Sequence, residues 1–237
     1  MSSIQYHFPQ SHIDIDMALT SITVLISGNG SNLQAIIDAC RNSTIPNAAI
    51  IRVISNREKA YGLERAKRAN IPTAYLNLLK YKKQHPATAE GIDAAREAYF
   101  EELASMVLED RPDIVVCAGW MLIVTPSFLD KLAAAKVPII NLHPALPGEF
   151  NGINAIERAY EAFQQGKIQR TGIMIHYVIK EVDEGEPIVT KELAFKPGET
   201  LNEVEGRIHE LEWQAIVEGT KIAIDTVLQA RTGTAYS

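Results

Sequence analysis

Four apolar runs, Ile22–Ile26, Ile50–Ile54, Ile114–Ala118 and Val137–Asn141, lack the alternating polarity of a half-exposed strand. Such strands are buried on both faces, as in a parallel sheet. Helical patterns stand between them. Leu33, Ile36, Ile37 and Cys40 form one stripe, a helix is expected around Tyr61–Asn70, and another over Pro126–Ala135 has proline near its first turn. A long helix is predicted over Ala89–Glu109, with Ile92, Tyr99, Leu103 and Met106 on one face. Thr73–Leu76 reads as a short strand after Pro72, and Leu78–Pro86 as a polar surface loop. Near the end, Thr171–Ile179 and Pro187–Phe195 read as paired strands around the turn Asp183-Glu184-Gly185. A final helix over about Leu201–Leu228 carries Leu201, Val204, Ile208, Leu211 and Ala215 on one stripe. The expected fold is α/β and Rossmann-like. It has a mostly parallel sheet with helices on both faces, an antiparallel strand pair near the C-terminal part and a long final helix.

Composition narrows the function. With 237 residues, 46% of them apolar, the chain can bury a core without disulfides or a structural metal. Its net charge of −6 and lack of a basic tract argue against nucleic acid as a partner, while leaving room for a pocket that takes one phosphate. Cys40 and Cys117 show no CxxC or metal-ligand spacing and read as buried apolar residues in a reducing compartment. The longest apolar run, Ile114–Val124, is too short for a membrane span, which needs about 20 residues. Residues 1–16 lack a signal-peptide core and read as a polar N-terminal extension before a single domain over 17–237, with a cytoplasmic location.

Three segments carry chemistry. Gly28-Asn29-Gly30-Ser31-Asn32 follows the first strand and opens a helix, where glycines and free N–H groups suit an anion. Leu33 stands where a dinucleotide fingerprint needs a third glycine, and no acid precedes Glu58 after the second strand, so a single phosphate fits better than NAD. The alternative is a plain tight turn with an Asn or Ser helix cap. Asn141-Leu142-His143-Pro144 ends an apolar strand, at the edge of an open sheet where ligands bind. Asn141 and His143 project to the same side. An amide beside an imidazole can stabilise an oxyanion and move a proton, although a lone histidine is often structural. Asp183 can orient or charge an imidazole, or it can be an ordinary turn residue, and proximity to His143 decides between them. His7, His12, His85 and His209 read as exposed or helix-face residues, and no set of metal ligands stands out.

Taken together, Val24–Gln34, Asn141–Pro147 and Gly172–Val178 with Asp183–Ile188 resemble the phosphoribosylglycinamide formyltransferases, in their fungal stand-alone form, over roughly residues 20–230. The resemblance implies transfer of a formyl group from 10-formyltetrahydrofolate to the amine of glycinamide ribonucleotide in purine biosynthesis, without a metal. It implies Asn141, His143 and Asp183 as the catalytic trio, with Gly28, Asn29, Gly30, Ser31 and Asn32 on the substrate phosphate. Glu212 and Met121 would contact the ribonucleotide. The folate would lie against Leu122, Ile123, Val124, Asn141, Val178, Ile179 and Asp183. Leu122 replaces the arginine of bacterial members, and Leu146-Pro147-Gly148 replaces their two leucines and proline. The partners implied are these two small molecules, for a monomer or weak homodimer.

Related readings are a 10-formyltetrahydrofolate hydrolase, which usually carries an extra regulatory domain, and a methionyl-tRNA formyltransferase, which carries a further C-terminal domain. A non-catalytic nucleotide- or folate-binding module would be expected to lose one of the trio.

Overall fold

The computed structural model describes residues 19–233. Seven strands, β1 (Thr20–Ile26), β2 (Ala48–Ser55), β3 (Thr73–Tyr75), β4 (Ile114–Cys117), β5 (Ile139–His143), β6 (Arg170–Tyr177) and β7 (Pro187–Ala194), form one sheet in the order β3-β2-β1-β4-β5-β6-β7. Strands β1 to β5 are parallel, whereas β6 runs antiparallel to β5 and β7 antiparallel to β6. The helices are α1 (Ser31–Arg41), α2 (Tyr61–Arg68), α3 (Leu78–Lys82), α4 (Ala89–Glu109), α5 (Pro126–Ala134), α6 (Ala155–Gln164) and α7 (Leu201–Thr232). The mostly parallel sheet, the antiparallel pair and the long last helix are thus those expected.

The apolar runs are continuous because alternate residues feed two cores. Ile22, Val24, Ile26, Val116, Ile140 and Leu142 pack with Leu33 and Ile36 of α1, Leu63 of α2, Ala159 of α6 and Ile208 of α7. Leu25, Val115, Cys117 and Ile139 pack on the other face with Tyr99, Phe100 and Leu103 of α4 and Phe128 and Leu132 of α5. This parity positions the site: with Ile140 and Leu142 committed to the first core, Asn141 and His143 project from the second face. Beneath that face Tyr81, Tyr99, Phe100 and Phe128 form successive edge contacts with centroids 5.6, 5.1 and 5.7 Å apart. Each such pair contributes about 0.5–1.5 kcal/mol beyond area burial. The long α7 starts in a capping box, with Thr200 and Glu203 satisfying each other's backbone N–H groups.

Several local expectations are corrected. The segment Leu78–Pro86 is not all loop, because Asn77 caps α3 by accepting from Leu79 N at 2.9 Å, and Leu78 and Tyr81 pack on the second core. Helix α6 was unanticipated; it starts at a left-handed Asn154, without a side-chain cap to mark it. In α4 the buried face is Ala95, Tyr99, Phe100, Leu103, Ala104 and Val107, so Ile92 is exposed and Met106 half-buried. Cys117 is buried as expected, but Cys40 only half so. His85 is half-buried, with Nδ1 2.9 Å from Tyr81 O, while His209 is exposed; His7, His12 and the proposed extension 1–16 lie outside the described residues. No helix among the described residues is long and apolar enough to cross a membrane.

Candidate active site

The sheet changes direction of winding between β1 and β4, the place in an open α/β sheet where a crevice forms beyond the strand ends. The Gly28–Asn32 segment leaves β1 at this point. Gly30, at φ +75°, is the residue before α1, and no side chain caps the helix. The alternative of an Asn or Ser cap is therefore not what the chain adopts. A Cβ at Gly30 would stand 2.6 Å from the Cα of Gly62, and Gly62 N donates to Gly28 O at 3.1 Å, so the loop lies directly against the start of α2. Arg65 braces it from outside, donating to Asn29 O at 3.0 Å and to Asn29 Oδ1 at 2.9 Å. Asn32 turns inward and donates to Glu212 Oε2 at 3.0 Å in a buried pair. Burial pushes the Glu212 carboxyl above its usual value, opposed by the Asn32 bond and nearby His209.

On the other side of β4, Asn141 pairs with Cys117 in register and with His176 across the antiparallel partner; His143 stands opposite Met174. Directly opposed residues share a face, which puts Asn141, His143 and His176 together. The chain between β6 and β7 then folds back and seats Asp183 among them. Its Oδ2 lies 3.3 Å from His143 Nδ1 and its Oδ1 3.5 Å from His176 Nε2. Asn141 Nδ2 is 3.3 Å from His176 Nε2 and 3.5 Å from Asp183 Oδ1. Gly152 N donates to Asp183 Oδ2 at 2.8 Å, and His143 Nε2 faces Phe150 O at 3.2 Å.

The return loop depends on Gly185, because a Cβ there would stand 1.6 Å from Tyr177 O. Asp183 itself takes a left-handed φ of +58°, uncommon for a residue with a side chain.

Both imidazoles are buried: His143 is 4% and His176 2% exposed. Burial pushes the His143 pKa below the ordinary imidazole value, and His176 and Arg158 add to this, while Asp183 and Phe150 O oppose it. Burial also resists ionisation of Asp183, but the hydrogen bond with His176, the Gly152 N–H and the nearby His143 hold its carboxyl below the usual range. The structure brings Asn141, His143 and Asp183, the trio that the resemblance implied, into one cluster and adds His176, which the sequence does not single out. Its signal was available, since a histidine seven residues before a turn aspartate on a buried strand falls opposite Asn141 once the register is known.

The remaining predicted residues lie on the segments that follow β4 and β6. Ser27 Oγ accepts from Met121 N at 2.9 Å, tying the end of β1 to the segment after β4, and Met121 is exposed. Leu122, Val124 and Val178 pack on the second core, while Ile123 and Ile179 are exposed. A cavity of about 680 Å³ opens between α5, the start of β5 and residues 177–181; Val178 and Ile179 line it, but Leu122, Ile123 and Val124 do not.

Residues 20–220 match the family described as "Formyl transferase". The chain is 51% identical to the phosphoribosylglycinamide formyltransferase of Schizosaccharomyces pombe, over 84% of this chain and 95% of that protein. It is 49% identical to the phosphoribosylglycinamide formyltransferase of Saccharomyces cerevisiae, over 85% and 96%. Among solved structures, glycinamide ribonucleotide transformylase 1 from Symbiobacterium toebii superposes with a TM-score of 0.72 at 32% identity, covering 86% of each chain.

Proposed function

The chain belongs to the formyl transferase family, in its phosphoribosylglycinamide formyltransferase branch, and on that premise we propose that Asn141, His143 and Asp183 carry formyl transfer from 10-formyltetrahydrofolate to the amine of glycinamide ribonucleotide. The observation that supports this most strongly is that the one carboxylate of Asp183, its side chain 10% exposed, is in contact with His143, His176 and Asn141 at the carboxyl end of β5.

The amine nitrogen attacks the formyl carbon, the carbonyl oxygen becomes negative, and the bond from that carbon to the folate nitrogen then breaks. One proton leaves the amine and one arrives on the folate nitrogen, so formyl and proton exchange places without an oxidant or reductant. Asn141 Nδ2 serves as a donor to the negative oxygen. Its present contacts of 3.3 and 3.5 Å are long, which leaves the amide free to turn. One such donor is typically worth about 3–4 kcal/mol in the transition state.

His143 takes the second donor role. Asp183 favours the charged ring, but burial disfavours it at rest. Negative charge developing on the oxygen adds to that of Asp183 and draws a proton onto the imidazole as the reaction proceeds. Asp183 thus supplies the constant negative charge, and His176 and Gly152 hold its carboxylate in place.

The Gly28–Asn32 segment holds the ribonucleotide phosphate, supported by the uncapped N-terminus of α1. Glu212, kept in place by Asn32, and Met121 contact the same substrate. The folate lies along Leu122–Val124 and Val178–Asp183, supported by the exposure of the apolar Ile123 and Ile179 on these two segments. The same reading takes 17–237 as one cytoplasmic domain, monomeric or weakly dimeric.

Folate absorbance on mixing the protein with 10-formyltetrahydrofolate tests the proposal. Deformylation that requires glycinamide ribonucleotide and yields its formylated product is the expected result. Deformylation without the ribonucleotide, releasing formate, makes water the acceptor, and no change in either mixture makes the site a binding module.

A further inference from the structure

The turn that follows β5 makes contact with both ends of the catalytic pair. Phe150 O faces His143 Nε2 at 3.2 Å, and two residues later Gly152 N donates to Asp183 Oδ2 at 2.8 Å. This short segment therefore touches the imidazole from the side opposite Asp183 and touches Asp183 itself. Its backbone is not one that the chain adopts freely: Phe150 and Asn154 have φ of +49° and +54°. For a bulky residue such as phenylalanine that conformation is disfavoured and persists only when neighbours impose it.

The neighbour is Arg158, on the first turns of α6. Its Nη2 donates to Phe150 O and, at 2.8 Å, to Asn151 O, and its Nε reaches Asn154 O at 3.4 Å. The guanidinium also lies 5.8 Å from the centre of the Phe150 ring. One side chain thus grips the two carbonyls that precede Gly152 and the residue that starts α6. A planar fork can hold several carbonyls at fixed angles, which a lysine ammonium cannot.

We propose that Arg158 is a positioning residue for formyl transfer, a role that rests on the reading above: it clamps residues 150–154 so that Phe150 O and Gly152 N fix His143 and Asp183 relative to each other. Arg158 touches no reacting atom. Its contribution is to fix the imidazole between Asp183 at Nδ1 and Phe150 O at Nε2, with the Nε2–H placed to be shared with the developing oxygen; misplacement of a reacting group by about 1 Å can cost about 100-fold in rate.

The experiment compares the full-length wild type with Arg158→Lys, Arg158→Met and Arg158→Ala in ribonucleotide-dependent deformylation. For the methionine variant kcat should fall about 100-fold with both KM values little changed. The lysine variant keeps the charge but loses the fork, and its kcat should stay low. Guanidinium ion added to the alanine variant should restore part of the lost kcat. The midpoint of the kcat–pH profile should rise in the methionine variant, which loses a positive charge near His143, and stay in place in the lysine variant.

Unchanged kcat in any folded variant overturns the clamp. So does a rise in KM at constant kcat, which makes Arg158 a substrate ligand, and so does a loss of rate that guanidinium does not reverse and that leaves the pH profile unmoved. If the methionine and alanine variants do not fold, the lysine variant decides, and full kcat there overturns the proposal. A wild type that does not deformylate in response to the ribonucleotide overturns formyl transfer itself, a result separate from any effect of the substitutions.

Discussion

His143 Nδ1 lies 3.3 Å from Asp183 Oδ2, joining the end of β5 to the turn before β7. The contact turns an ordinary-looking turn aspartate into the partner of a buried imidazole. Replacing Asp183 by asparagine preserves shape and removes the charge. We expect kcat to fall by about 10²–10⁴, the usual contribution of a proton-handling group, with KM for the ribonucleotide little changed. Steady-state kinetics decide this, and a kcat close to wild type removes Asp183 from the mechanism.

The depressed pKa of His143 has a consequence for stability. Above the ordinary value of 6.5 the ring is neutral in both folded and unfolded chains, and it contributes no pH dependence. Between that value and the lower one in the fold, the unfolded chain binds a proton that the folded one does not, so stability falls as pH falls. Asp183 acts in the same direction at more acid pH: its stabilisation is present above the ordinary carboxylate value of 3.8 and is lost as pH drops through its lower folded value. Thermal melts from neutral to mildly acid pH should therefore show a steeper loss for wild type than for His143→Gln. Parallel curves would mean that burial does not hold the ring neutral.

Asn32→Leu leaves the buried Glu212 without its 3.0 Å donor. A buried polar group without a partner costs about 1–3 kcal/mol, and Glu212 is driven further toward its protonated form. KM for glycinamide ribonucleotide should rise about tenfold or more, the equivalent of about 1.4 kcal/mol, while KM for 10-formyltetrahydrofolate stays near wild type. The opposite pattern would move Asn32 and Glu212 to the folate side.

Gly185→Ala forces a methyl group against Tyr177 O and displaces the loop that carries Asp183. A large loss of kcat, or failure to fold, is the expected outcome. Gly206 in α7 makes the contrast, since a Cβ there meets nothing within 4 Å. Gly206→Ala should raise stability by about 0.5–1 kcal/mol and leave kcat alone. Denaturant titrations of both variants check the pair, and a Gly185→Ala enzyme with normal rate would show that the loop tolerates displacement.

The sheet was legible because each of its central strands is apolar on both faces, a signal that depends only on neighbours in the chain. Asn141 and His143 were legible for the same reason: two polar residues at the end of an apolar strand stand out, and parity puts them on one side. His176 was not, because its relation to Asn141 exists only through the β5–β6 register. Helix α3 is short and its leucines sit among polar residues, so the local pattern is that of a loop. Helix α6 begins without a capping side chain, so no local signal marks its start. The predicted folate residues divide for a similar reason: Leu122, Val124 and Val178 all pack on the second core, but of the predicted residues only Val178 and Ile179 border the cavity whose other wall is α5.

The order of strands and helices, the buried character of β1, β4 and β5, and the motifs that carry the family resemblance are local properties of the chain. They follow from periodicity and from residue types at fixed spacing. The meeting of Asp183 with His143 and His176, the pairing of Asn32 with Glu212, and the hold of Arg158 on Phe150 are decided by tertiary structure. The first two join segments far apart in the sequence, and the third folds Arg158 back over eight residues through a left-handed turn. In each, desolvation makes the contact strong enough to change charge states or hold a backbone that the isolated segment would not keep.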